Sequence, residues 1–363
     1  MIKIVYLYPS LAIWGGIERV IVDKMNQLVR LYGYQIYMIT SDQGCHPVPF
    51  QIDKRVCMQD LQINFYSRYK LGGWRRFIEK RRLSRLYHQR LREKLQIIKP
   101  DIIVCTTSQD VHSLLSIKGN CHLVIESHVN YSHPDTWWHY IQNRINYYWI
   151  NKADAVVTLT EGDAKNWRRV SQNVHVVPNV VHLNDTGRYS TCINKRAIFV
   201  GRLVEQKGLP DLVKVWRIIN QRYPDWYLEI FGEGQMDSIP DINLMVHPPT
   251  PNIMDEYIKS SMLLVTSIYE PFGLVIPEAM SCGLPVIAFD CPYGPAEIIT
   301  QGHDGFYIKD RDVYAFANRV CQLIEDKYLR QEMGQAAIKS SHAYSADYII
   351  PMWTALFESI IKK

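Results

Sequence analysis

Three short stretches of the chain combine residue types suited to a ligand that carries phosphates and hydroxyls. The densest is Glu270-Pro-Phe272-Gly273-Leu274-Val-Ile-Pro-Glu278, continuing as Ala-Met-Ser-Cys-Gly283-Leu-Pro285-Val-Ile. A carboxylate accepts hydrogen bonds from vicinal hydroxyls, so two of them can hold a sugar and a ribose. The pattern puts Glu270 at the end of a loop after a strand. It predicts a helix from Gly273 that carries Glu278 about one and a half turns in. The N-terminus of that helix suits the joining phosphates. The ordinary alternatives are a helix-start charge for Glu270 and a solvated helix face for Glu278.

The second stretch is Val200-Gly201-Arg202-Leu-Val-Glu-Gln-Lys207-Gly208. It places two cations between a strand end and a helix start, where they suit a diphosphate that Arg binds bidentately. Surface Arg and Lys are more often simply solvated. The third is Gly15-Gly16-Ile-Glu18-Arg19, directly after the first strand and opening a helix. Glycines let backbone approach a ligand, and a helix N-terminus offers unpaired N–H groups to an anion. A tight strand-to-helix turn explains a bare Gly-Gly equally well. The dinucleotide pattern Gly-x-Gly-x-x-Gly and the P-loop Gly-Lys-Ser/Thr are both absent, so nicotinamide chemistry and P-loop phosphate transfer lose their main support.

The elements that must position these residues alternate. Strands are expected at Ile2–Tyr8, Gln35–Thr40, Asp101–Cys105, His122–Glu126, Ala155–Leu159 and Val174–Val177. Between them lie helical patterns such as Ile17–Arg30, Trp74–Ile98 and Thr136–Ile150. From Pro178 to about Lys195 the chain is polar and weakly periodic, as a linker is. Alternation then restarts with strands at Ala197–Val200, Tyr227–Phe231, Leu244–Val246, Met262–Thr266 and Pro285–Ala288, and helices from Gly208, Asn252, Gly273 and Asp310. Strands alternating with helices imply parallel sheets covered on both faces. The expected fold class is α/β: two doubly wound, Rossmann-like domains facing across a cleft at their strand C-termini. Their expected bounds are 1–180 and 181–363, with the last helix, about 343–363, crossing back to the first domain.

Together the three stretches resemble the retaining nucleotide-sugar glycosyltransferases of family 4, which have the GT-B architecture. The resemblance runs over nearly the whole chain in the expected order. It implies that Glu270 binds donor-sugar hydroxyls and acts in catalysis, and that Glu278 binds the nucleotide ribose. Arg202 and Lys207 take the diphosphate, joined by the backbone amides of Phe272, Gly273 and Leu274, while the loop at Gly16 admits phosphate and acceptor. Many family members also carry an active-site histidine near the anomeric carbon after a strand of the first domain. His128, in Val124-Ile-Glu126-Ser127-His128-Val-Asn130-Tyr131, matches it. Some relatives place Glu and His side by side; here Ser127 intervenes. The segment Asp290-Cys-Pro-Tyr-Gly-Pro-Ala-Glu297-Ile-Ile looks like the family's bacterial polysaccharide enzymes.

The expected activity is transfer of a hexose or N-acetylhexosamine, with retention, from a UDP-sugar to a glycan or lipid-linked acceptor. No cofactor and no metal are expected. Departure of the nucleoside diphosphate develops charge that the two cations and the N-terminus of the Gly273 helix would stabilise. Two other classes compete. A nucleotide-sugar 2-epimerase of the same architecture needs no acceptor, and a non-catalytic membrane scaffold would not need the donor-site residues.

Other features are weaker. Asp310-Arg-Asp312 spells a metal-binding Asp-x-Asp string, but it opens a helix, where acids favour the N-terminus. Trp74, Trp137 and Trp138 could stack on sugar or lie at a membrane interface, although partly buried helix packing is the expectation. The eight cysteines form no Cys-x-x-Cys pair, which fits a reducing cytoplasm and argues against zinc knuckles. The first strand meets Pro9 with no small-residue cleavage site, and reads as a strand rather than a signal peptide.

Length and charge set the frame. At 363 residues the chain is too long for one ordinary core, and with 47% apolar and 21% charged residues it is globular. Its net charge of +5 conceals an uneven distribution. Residues 68–94 hold eleven cations against two glutamates, a net +9 that leaves −4 elsewhere. Interleaved with Trp74, Phe77, Ile78, Leu83, Leu86, Tyr87 and Leu91, they make a basic amphipathic helix that suits an anionic membrane. A peripheral place on the inner face of the cytoplasmic membrane follows as the expectation. Nucleic acid is not expected as a partner, since no recognition motif accompanies the charge.

Overall fold

The structure, a computed structural model, describes residues 1–106, 111–128 and 145–362. Trp137, Trp138, Asn130, Tyr131 and most of the expected helix Thr136–Ile150 lie outside the described residues. The chain divides into two compact units, Met1–Val180 with Ile349–Lys363, and Val181–Tyr348.

The first unit holds seven strands: β1 (Lys3–Tyr8), β2 (Gln35–Thr40), β3 (Cys57–Asp60), β4 (Ile102–Thr106), β5 (His122–Glu126), β6 (Ala155–Thr158) and β7 (Val174–Val176). They form one sheet in the order β3-β2-β1-β4-β5-β6-β7, and every recorded pairing is parallel. The central strands are buried on both faces, as a parallel sheet requires, so they read as continuous apolar runs. Helix α1 (Gly16–Tyr32) follows β1, and α2 (Gly73–Ile98) precedes β4.

The second unit repeats the plan. Its strands are β8 (Arg196–Val200), β9 (Tyr227–Phe231), β10 (Leu244–His247), β11 (Met262–Val265), β12 (Val286–Phe289) and β13 (Gly305–Ile308), in the order β10-β9-β8-β11-β12-β13. Its core includes Leu212, Trp216, Leu228, Leu264, Phe289 and Phe316. In both sheets the order reverses beside the first strand, between β1 and β4 and again between β8 and β11. Ligands of open α/β sheets bind at such switch points, outside the strand C-termini. The glycine loop at Gly15-Gly16 leaves β1 there, and the segments Gly201–Gly208 and Ser267–Gly273 leave β8 and β11 there.

Two strands escaped the sequence pattern, β3 and β13. In β3, Cys57-Met-Gln-Asp60 is half polar and largely uncovered, and β13 opens on Gly305, so neither presents the β-branched apolar run that marked strands of the same length. The segment expected to be a linker lacks regular structure but is not free. Asn184 N donates to Ser281 Oγ at 3.0 Å, Ser190 N to Cys282 O at 2.8 Å, and Arg330 Nε to Cys192 O at 2.8 Å. These bonds tie it to the second unit.

Two local expectations need correction. The helix expected from Gly273 begins at Val275 and ends at Ser281, because Gly273 has φ +91° and forms the turn before it. Trp74 does not pack: it is 70% exposed, with Phe77 and Ile78 also exposed, while α2 buries only Leu83, Leu91, Leu95 and Ile98. Its buried residues begin only at Leu83, so the apolar side chains before that point stay at the surface. Among the described residues no helix is long and apolar enough to cross a membrane.

Candidate active site

In the second unit the chain leaves β8 through Gly201 and Arg202 into a short 3-10 turn, Glu205–Lys207. That turn is stitched to the loop after β11. Ile268 N donates to Gln206 O at 2.8 Å, Gln206 Nε2 to Tyr269 O at 2.9 Å, and Thr266 Oγ1 to Lys207 O at 3.0 Å. Gly208 permits the approach: it has φ +65°, and a Cβ there would stand 2.0 Å from Thr266 O. Arg311 braces the same loop, donating to Thr266 O at 2.9 Å and Ser267 O at 2.8 Å while pairing with Asp211 at 2.7 Å.

The stitching brings together two residues singled out from the sequence. Lys207 Nζ lies 2.5 Å from Glu270 Oε2, and Ser267 Oγ donates to the same oxygen at 3.1 Å. Glu270 is buried, so it is no solvated helix-start charge. Gly273 is required beside it, since a Cβ there would meet Glu270 Cγ at 3.0 Å. Glu278, four residues into the helix Val275–Ser281, is buried as well, which excludes a solvated face. Phe272 is buried and packs edge-on against Tyr344, their rings 5.5 Å apart, and Leu274 caps the helix. Arg202 differs from all of these: it is exposed, and its side chain meets no described partner.

In the first unit Gly16 opens α1, whose N-terminus no side chain caps. Two turns on, Lys24 faces inward and is 1% exposed. Its ammonium pairs with Glu126 Oε1 in a very short contact and lies 4.1 Å from the centre of the Trp353 ring. The other carboxylate oxygen of Glu126 meets His128 Nε2 at 2.9 Å. Glu126 ends β5, and in extended chain residues two apart share a face. The intervening Ser127 therefore places Glu126 and His128 together, while Ser127 Oγ donates toward Asp163 Oδ2 at 3.5 Å. Burial acts to raise the Glu126 carboxyl, but the Lys24 charge and the His128 hydrogen bond outweigh it and hold it at about 2. Burial also pulls the Lys24 ammonium down, against the opposing charge of Glu126.

Sequence reasoning missed Lys24, Ser267 and Arg311. For Lys24 a signal existed, a lysine on the apolar face of an amphipathic helix. Of the decoys, Asp312 accepts from Tyr314 N at 2.9 Å and Ala315 N at 3.0 Å as a helix cap. No group of three His, Cys, Asp or Glu side chains stands ready for a metal ion among the described residues. All eight cysteines are free.

The family model described as Glycosyltransferase Family 4 matches residues 14–185, and that described as Glycosyl transferases group 1 matches residues 194–340. An uncharacterized glycosyltransferase of Haemophilus influenzae is 26% identical over 98% of this chain and 100% of its own length. The amylovoran biosynthesis glycosyltransferase AmsD of Erwinia amylovora is 26% identical over 97% of this chain and 99% of its own. Among solved structures, a variant of S. aureus TarM in complex with Fondaparinux, alpha-GlcNAc-glycerol and UDP superposes with a TM-score of 0.79. It is 16% identical, over 98% of this chain and 100% of that one. At that identity the likeness speaks for the fold, and it bears out the expected pair of Rossmann-like domains. The chain thus carries two glycosyltransferase domains, one after the other, in the GT-B fold.

Proposed function

We propose that this glycosyltransferase acts in cell-surface polysaccharide biosynthesis, moving a hexose or N-acetylhexosamine from a UDP-sugar to a glycan or lipid-linked acceptor. The configuration of the anomeric carbon is retained and no metal takes part. The observation that carries the reading is the Lys207–Glu270 pair held at the switch point of the second sheet. A buried carboxylate with one oxygen fixed by Lys207 and Ser267 keeps lone pairs for sugar hydroxyls. A lysine already at that site answers the negative charge that grows on a departing diphosphate. The similarity to AmsD supports the polysaccharide assignment, and the UDP bound in the TarM structure supports the donor class.

In this reading Arg202, unpartnered and exposed, closes on the diphosphate together with Lys207. The backbone amides of Phe272, Gly273 and Leu274 complete the phosphate site, and Glu278 takes the ribose. Gly16 leaves room for phosphate and acceptor, and His128 attends the sugar near its anomeric carbon. The acceptor hydroxyl attacks from the face that the diphosphate leaves. The enzyme works in the cytoplasm as a peripheral protein on the inner face of the membrane. Leu71 to Ile78 are all exposed, and Arg81 lies 4.8 Å from the Phe77 ring centre, which supports an anionic membrane as partner of residues 68–94.

A thermal-shift panel of nucleotides and nucleotide-sugars tests the donor. A ligand that binds the folded chain raises Tm by mass action, so UDP and one UDP-sugar should stand above GDP compounds. No shift with any of them removes the donor-site reading. With that donor and an acceptor, product NMR should show the donor's anomeric configuration, and EDTA should leave the rate unchanged.

A further inference from the structure

We propose that Glu126, backed by Lys24, is a positioning residue that fixes His128 as its Nε2–H tautomer and so leaves Nδ1 as the acceptor for a sugar hydroxyl. The inference rests on the reading above that His128 attends the donor sugar, but its structural half stands apart from that reading. Three facts lead to it. Glu126 and His128 are both buried, and Glu126 Oε2 meets Nε2 at 2.9 Å. Lys24 occupies the other oxygen of the same carboxylate. No described residue takes His128 Nδ1.

The chemistry of the groups decides the proton. An ionised carboxylate only accepts, and an ammonium only donates. Glu126 therefore has nothing to donate to Nε2, so the imidazole nitrogen facing it carries the hydrogen. Lys24 also cancels the carboxylate charge. Without it a lone buried anion would draw a second proton onto the ring, turn both nitrogens into donors and remove the acceptor. The other groups beside the carboxylate add no charge. Burial and the Glu126 charge push the Tyr6 hydroxyl and the Cys105 thiol well up, so both stay protonated. Trp353 closes the far side of Lys24 with its ring.

Two substitutions separate positioning from packing. A Gln at 126 has one acceptor oxygen, and Lys24, which only donates, takes it. The amide NH2 then faces Nε2, which must accept, and the hydrogen moves to Nδ1. Glu126→Gln thus inverts the tautomer at almost unchanged volume. Lys24→Met leaves the carboxylate uncompensated and produces the imidazolium.

The measurement is 15N NMR of the full chain labelled at histidine side chains, at about pH 8, above the ordinary histidine range. His128 is assigned by the signal lost in His128→Asn. The parent should show the Nε2–H pattern, Glu126→Gln the Nδ1–H pattern, and Lys24→Met both nitrogens protonated. An Nδ1–H or doubly protonated ring in the parent overturns the proposal, and that spectrum needs no variant to fold. So does a Glu126→Gln spectrum identical to the parent's. With transfer assayed alongside, Glu126→Gln should lower kcat about 100-fold, with the UDP Kd unchanged. A parent without any transfer activity would remove the functional reading yet leave the tautomer result standing. An active parent whose Glu126→Gln variant turns over normally would remove this inference alone.

Discussion

Lys207 and Glu270 form an ion pair, Nζ to Oε2 at 2.5 Å, across 63 residues of sequence. The pair exists because the turn after β8 and the loop after β11 share backbone hydrogen bonds at the switch point of one sheet. Its two members should fail differently. Glu270→Ala should abolish transfer while the circular dichroism spectrum and cooperative melting persist, since no backbone bond depends on the carboxylate. Lys207→Ala should weaken UDP binding about 10- to 100-fold, the worth of one charge-assisted hydrogen bond. Calorimetric titration with UDP and turnover with the donor sugar separate the two. Near-normal turnover in Glu270→Ala would remove its assignment.

The sequence made this pair expectable one residue at a time but not as a pair. Glu270 and Lys207 were each legible from type and local spacing, because loops that leave strand ends carry site residues in α/β folds. Their contact was not, since it depends on Gly208 lying against Thr266 and on Arg311 bracing the loop from a third segment. The strands were legible for a related reason: four to six consecutive buried apolar residues leave a mark. In β3 the half-polar Cys57-Met-Gln-Asp60 leaves none, and β13 opens on Gly305. Lys24 was hidden by its own type, as a lysine on a helix is ordinarily a solvated charge, and only Glu126 from another element explains its burial.

Gly273 tests how tightly the turn holds Glu270. Its φ of +91° is one that L side chains rarely adopt, and a Cβ would stand 3.0 Å from Glu270 Cγ. Gly273→Ala should cost about 1–3 kcal/mol of stability through backbone strain. It should also push the Glu270 side chain aside, so turnover falls by more than the loss of folded protein explains. Activity per folded molecule, after correction by the melting curve, is the quantity to compare. A variant with parental turnover would show that the turn tolerates a side chain.

The basic helix yields a sharper membrane experiment than its charge alone allowed. Arg82 is tied to Glu79 at 2.7 Å, so reversing it removes less free charge than its neighbours do. Arg75, Arg76 and Arg81 lie with exposed Trp74, Phe77 and Ile78 in the N-terminal turns of the helix, before its buried residues begin at Leu83. Each nearby cation contributes about 1 kcal/mol to binding an anionic surface. Reversing these three to Glu should therefore remove binding to phosphatidylglycerol vesicles at sedimentation, and UDP affinity should not change. Trp74→Ala with Phe77→Ala should weaken vesicle binding less, and with a smaller salt dependence. A parent that never sediments with vesicles returns the helix to a solvated face.

Glu126 sets an acid limit on the first unit. Its folded-state carboxyl is held at about 2, below the ordinary 4.5, because Lys24 and His128 favour the anion more than burial opposes it. The unfolded chain therefore takes up this proton first as pH falls. The stability attached to the carboxylate is complete above about pH 4.5 and drains away as pH drops toward about 2. In Glu126→Gln no such proton exists. A plot of Tm against pH should accordingly fall more steeply for the parent than for the variant between those limits. Parallel curves within that window would mean that the buried pair holds together by packing and not by charge.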